Sequence, residues 1–169
     1  MADQATRERG RGVVLCGVDG SRVACEALRT ADELSRRLGM GLVVAHVVEP
    51  VPVRTRPWAP PGAEASVSEI AAGEALLQRA CSAAGIEYVE RHVLVGRPAE
   101  RLAELADDLG AALVVVGSRG HRLVQAALVG SVSSELLGLA PCPVLVLPAR
   151  AVEWQQGDGS LTPVKGARR

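Results

Sequence analysis

Gly117 and Gly120 stand three residues apart, and after nine further residues come Gly130 and Ser131. Glycines let a backbone approach a ligand closely, and a glycine placed ahead of a serine and a helical run offers free N–H groups to an anion. The chemistry this suits is phosphate binding. Arg119, His121 and Arg122 lie inside the same loop, where they could reach phosphates or simply remain solvated. Asp19, in Asp19-Gly20-Ser21, is the other candidate: a carboxylate suits a ribose hydroxyl or a Mg²⁺-bound water, although Asp-Gly-Ser before a helix is also ordinary capping chemistry. His46 and His92 have no Cys or His at metal-ligand spacing, and no nucleophile elbow or paired carboxylates can be placed around the loop. A dedicated enzyme is disfavoured.

These residues need a frame, and the apolar patterning supplies one. Leu113-Val114-Val115-Val116 is a continuous apolar run, as expected of a strand buried on both faces in a parallel sheet, and it leads straight into Gly117. After the loop and a helical run, Cys142-Pro143-Val144-Leu145-Val146-Leu147-Pro148 reads as the closing strand. Earlier, Val13 to Val18 predicts a first strand, and Val23, Ala24, Ala27, Leu28, Ala31, Leu34 and Leu38 predict a helix that stops at Gly39. Leu42 to Val48 predicts a second strand. The prolines between Pro50 and Gly62, with Arg54, Arg56 and Trp58 among them, predict an exposed loop. Helical spacing resumes from Ala63 to Ala84 through Val67, Ile70, Leu77 and Cys81. Ile86 to Val95, with mixed faces, predicts an outer strand, and Pro98 opens a third helix that Gly110 ends. Strand and helix alternating in this way, and finishing on a strand, predict a parallel α/β sheet of five strands.

Composition narrows the function classes. A chain of 169 residues, 48% hydrophobic, fits one domain. Nineteen basic and nineteen acidic residues cancel, so no global field draws nucleic acid or an anionic membrane. Aromatic residues are 2% and Phe is absent, which leaves little for stacking on bases or a flavin. Cys16, Cys25, Cys81 and Cys142 form no Cys-x-x-Cys pair and read as small buried hydrophobes. Residues 1–11 carry no signal-peptide core, and no run approaches the ~18 apolar residues of a membrane span, so a cytoplasmic protein is expected, with flexible tails over 1–11 and 150–169.

The spacing Gly117-x-x-Gly120, nine residues, Gly130-Ser131, together with Asp19, His46-Val47 and Gly96-x-Pro98, resembles the nucleotide-binding signature of the universal stress protein family over residues 12–149. The resemblance implies a three-layer α/β fold of adenine-nucleotide alpha-hydrolase type, with strand order 3-2-1-4-5. It places a cleft at the C-terminal ends of strands 1 and 4, where the chain reverses direction. It also implies ATP with Mg²⁺ as ligand. Asp19 would sit at the ribose or metal, the Val47 backbone at the adenine, and Gly117, Gly120, Gly130, Ser131 and Val132 along ribose and phosphates. On its residue type alone, Val47 is an ordinary buried strand residue. A stress-response or regulatory module with at most slow ATP hydrolysis follows, as does a homodimer paired through Val144, Leu145, Val146 and Leu147. The alternatives are an interaction protein of the same fold with an empty cleft, or an α/β enzyme on adenylated substrates with Arg54 and Arg56 closing over phosphates.

Overall fold

The computed structural model describes residues 12–49, 65–118 and 130–148. Within them β1 (Val13–Gly17), α1 (Arg22–Leu38), β2 (Gly41–Val48), α2 (Val67–Ala84), β3 (Glu90–Val95), α3 (Pro98–Asp108), β4 (Ala111–Gly117), α4 (Ser131–Leu139) and β5 (Val144–Leu147) alternate along the chain. All pairings are parallel and the strand order is β3-β2-β1-β4-β5, the expected arrangement. The order in which the chain lays down strands reverses between β1 and β4, although the two run parallel. Val13 faces Ala111 but Val14 faces Leu113, so the β1–β4 register shifts by one residue near the start of the pair.

Because successive strand residues point to opposite faces, the uninterrupted apolar runs feed two cores at once. On one face Val14, Cys16, Val44 and Val115 pack under α1 and α2 against Leu28, Leu77 and Cys81. On the other, Leu15, Val43, Val114 and Val116 meet Leu102, Ala106 and Leu136 of α3 and α4. Gly39 and Gly85 end α1 and α2 in the left-handed conformation, with φ of 65° and 75°. There the absence of a Cβ removes the steric penalty.

The second helix differs from its expected span. Ser66 caps it in a reciprocal capping box with Glu69, so it begins at Val67 rather than Ala63. Its first turn overhangs the packed face: Val67 is 87% and Ile70 36% exposed, and burial starts at Gly73 and Leu77. Cys16 and Cys81 are buried as expected, whereas Cys25 and Cys142 are only half-buried; all four are free thiols. Burial pushes the Cys16 thiol far above its ordinary range, and does the same more mildly for Cys81 and Cys142. Among the described residues no helix is long and apolar enough to cross a membrane.

Candidate functional site

The strand order forces a crevice where β1 and β4 part company, because their following helices leave toward opposite faces of the sheet. The crevice is lined by Val18 and Asp19 after β1, Val47 at the end of β2, Gly117 at the end of β4, Pro98 at the start of α3 and Val132 at the start of α4. Ala24, near the start of α1, also lines it. Three helix N-termini therefore point at one cavity. Their unpaired N–H groups and dipoles favour negative charge, each contact contributing ~0.3–1 kcal/mol.

The three N-termini are closed differently. At α1, Ser21 is the N-cap, its Oγ accepting from the Ala24 N–H at 3.2 Å, while Asp19 Oδ1 accepts from the Ser21 N–H at 2.9 Å. Asp19 is thus not the helix cap. Its half-buried carboxylate is fixed by one backbone bond at the cleft wall. At α3, Arg97 precedes Pro98 without a side-chain cap and instead donates to Glu100 at 2.5 Å and to Glu135 of α4 at 3.3 Å. At α4, Gly130 is the N-cap, and among the described residues no side chain caps the helix. Its own N–H donates to the Ser118 carbonyl at 2.6 Å, and the buried Ser133 donates through Oγ to the Gly130 carbonyl at 3.1 Å. The start of α4 is held firmly, and among the described residues no side chain takes its first donors, which suit an anionic group.

The glycines separate by cause. A Cβ on Gly117 would lie 3.0 Å from Val23 Cγ1 and 3.3 Å from the Ala24 backbone nitrogen. The absent side chain there lets β4 meet the first turn of α1, a packing requirement in addition to any ligand. Gly130 has φ of −73°, a conformation open to any residue, so backbone strain does not explain it. As N-cap it brings no side chain of its own to the helix start.

Asp19, Val47, Gly117 and Val132 line the cleft together, with Gly130 and Ser131 at the adjoining start of α4. Gly120, Arg119, His121 and Arg122 lie outside the described residues, as do Arg54, Arg56 and the rest of the proline-rich segment. Two groups escaped the sequence reading, Arg97 and Ser133; His46, part of the His46-Val47 landmark, is among the residues of the cleft lining, and its ring donates from Nδ1 to the Val18 carbonyl at 2.8 Å. Among the described residues no group of three or more His, Cys, Asp or Glu side chains could hold a metal ion.

The universal stress protein family model matches residues 10–148. A universal stress protein of Thermus aquaticus is 33% identical over 134 residues, covering 79% of this chain and 96% of its own length. A universal stress protein solved in complex with cAMP is similar in structure, with a TM-score of 0.61 at 26% identity over 80% of this chain and 96% of that one. Another, from Archaeoglobus fulgidus in complex with dAMP, gives a TM-score of 0.58 at 26% identity over 80% and 95% of the two chains. Fold, signature spacing and family match agree, and the chain belongs to the universal stress protein family.

Proposed function

We propose that the cleft binds an adenine nucleotide, ATP with Mg²⁺, and that the protein acts in the cytoplasm as a stress-response or regulatory module. The observation that carries this reading is the start of α4, which no side chain among the described residues caps, bordering the cavity also lined by Asp19 and the end of β2. An anionic phosphate suits the first, a ribose hydroxyl or metal-bound water the second, and a planar base with a hydrogen-bonding edge the third. Relatives of similar structure carry cAMP and dAMP, which supports an adenine ligand. Asp19 is the carboxylate in the cleft lining and would hold Mg²⁺ through water. The ion would supply charge neutralisation to the phosphates. The reading assigns no dedicated catalysis: the described lining residues pair no nucleophile with a base, so turnover would be slow at most.

A homodimer through β5 belongs to the same reading. Among the described residues β5 pairs only with β4, and Val144, Leu145 and Val146 are half-buried at an uncharged sheet edge of the kind soluble proteins pair or cover. Light scattering is expected to give twice the 17.6 kDa chain mass.

Thermal unfolding tests the nucleotide. At ~100 times its dissociation constant a ligand adds about 2.7 kcal/mol, which for a domain of this size raises Tm by roughly 5–11 °C. Saturating Mg-ATP should produce that shift and GTP a smaller one, because a backbone edge that pairs with adenine is mismatched by guanine. A melting curve unchanged by Mg-ATP, on protein shown to be free of nucleotide, would favour the interaction protein with an empty cleft.

A further inference from the structure

The parallel ladder between β1 and β2 breaks off in an unusual way. The Val18 N–H donates to the Ala45 carbonyl at 2.9 Å, one step beyond the last paired residues, Gly17 and Ala45. In a regular parallel ladder the Val18 carbonyl would next accept from the N–H of Val47, because backbone groups alternate sides along a strand and those of Ala45 and Val47 face β1. The bond from the Gly96 N–H to the Val48 carbonyl shows the intervening set facing β3. Among the described residues the Val18 carbonyl has no bond from the Val47 N–H; the His46 imidazole donates to it instead, at 2.8 Å. A carbonyl can only accept, so Nδ1 carries the proton.

The ring is held there from behind. Gly73 sits in the middle of α2, where glycine is the poorest helix former after proline. A Cβ on it would lie 3.2 Å from His46 Cδ2, 3.0 Å from Val93 Cγ1 and 3.2 Å from Val48 Cγ2. The missing methyl group is the space the imidazole uses.

We propose that His46, seated against Gly73, is a positioning residue that occupies the Val18 carbonyl, turns the chain out of the ladder toward Asp19, and so leaves the Val47 N–H for a ligand in the cleft. Its link to base recognition rests on the nucleotide reading above. Its effect on the backbone does not.

Amide hydrogen exchange on the full ligand-free chain separates the two. The Val47 amide should exchange at least roughly ten-fold faster than that of Ala45 in the wild type, and should slow by a similar factor in His46→Leu as the Val18 carbonyl recaptures it. His46→Asn places an amide N–H where Nδ1 was and should keep the fast exchange. Should His46→Leu fail to fold, His46→Val, smaller and β-branched, carries the same comparison. With AMP and IMP as probes, His46→Leu should lose roughly ten-fold in AMP affinity with the AMP-to-IMP ratio moving toward one, and His46→Asn should restore the ratio. A merely structural histidine would weaken both probes alike. Val47 exchange that is slow in the wild type, or unchanged in a folded His46→Leu, overturns the proposal. Absence of AMP binding to the wild type would instead overturn the nucleotide reading, with the exchange result still deciding the role of His46.

Discussion

The cleft at the strand ends and the groove between α2 and β3 are both depressions beside the same sheet, yet they are made of different things. The groove is walled by Ile70, Leu77 and Val93, with Glu74, Gln78 and Arg91 at its rim. Its polar groups are side chains partly satisfied by one another, Arg91 donating to Gln78. It runs along the body of a helix, where backbone N–H groups are already spent on the helix itself. The cleft instead collects the starts of α1, α3 and α4 and the ends of β1, β2 and β4, where the backbone still has donors and acceptors to offer. What distinguishes a binding site here is the supply of unspent, rigidly held backbone groups.

The strongest way to break the contrast is to fill the cleft. Gly130→Val should weaken nucleotide binding at least roughly a hundred-fold, since the branched side chain takes the space beside the α4 N-terminus, while Tm changes by only a few degrees. Gln78→Ala in the groove should leave affinity unchanged. Titration of labelled ATP into both variants makes the comparison, and equal affinities would sink it.

A subtler change separates the glycines by what surrounds them. Gly117→Ala would press a methyl group to 3.3 Å from the backbone of Ala24 and should destabilise the fold by about 1–3 kcal/mol. Gly138→Ala, in α4 with nothing within 4 Å of the new Cβ, should stabilise it by about 0.4–1 kcal/mol. Urea unfolding of the two variants should therefore move in opposite directions.

These substitutions also mark what the sequence could reveal. Strands and their parallel pairing were legible because Leu113–Val116 and Val13–Val18 carry their burial in composition, and the glycine spacing pointed to the family. The packing role of Gly117 was not legible, because it depends on α1 crossing the end of β4. Nor was the exposure of Val67 and Ile70, which fit an apolar helical stripe but fall on a turn that overhangs the sheet. Asp19 and Ser21 were equally plausible caps by residue type, and only the backbone path decides for Ser21. The role of the His46 ring was not legible either: residue spacing excludes a metal pair and the signature includes the residue, but its hydrogen-bond partner is a carbonyl 28 residues away.

The smallest expected effect lies beside the groove. The Ser66 backbone N–H, and then its hydroxyl, hold the Glu69 carboxyl below its ordinary value of 4.5. A depressed folded-state value means that the stabilisation is present above pH 4.5 and fades as pH falls through the folded value. Amide protection in the first turn of α2, taken relative to intrinsic exchange at each pH, should fall in acid. Glu69→Gln should flatten that pH dependence, and the cleft should show no matching change.

Backbone chemical-shift mapping tests the central claim most directly. On addition of Mg-ATP to nucleotide-free protein, the account predicts perturbations at Val18, Asp19, Val47, Gly117 and Ser131, with Leu77, Gln78 and Arg91 unmoved. Perturbations centred on the α2–β3 groove, or none anywhere at saturating ATP, would contradict it.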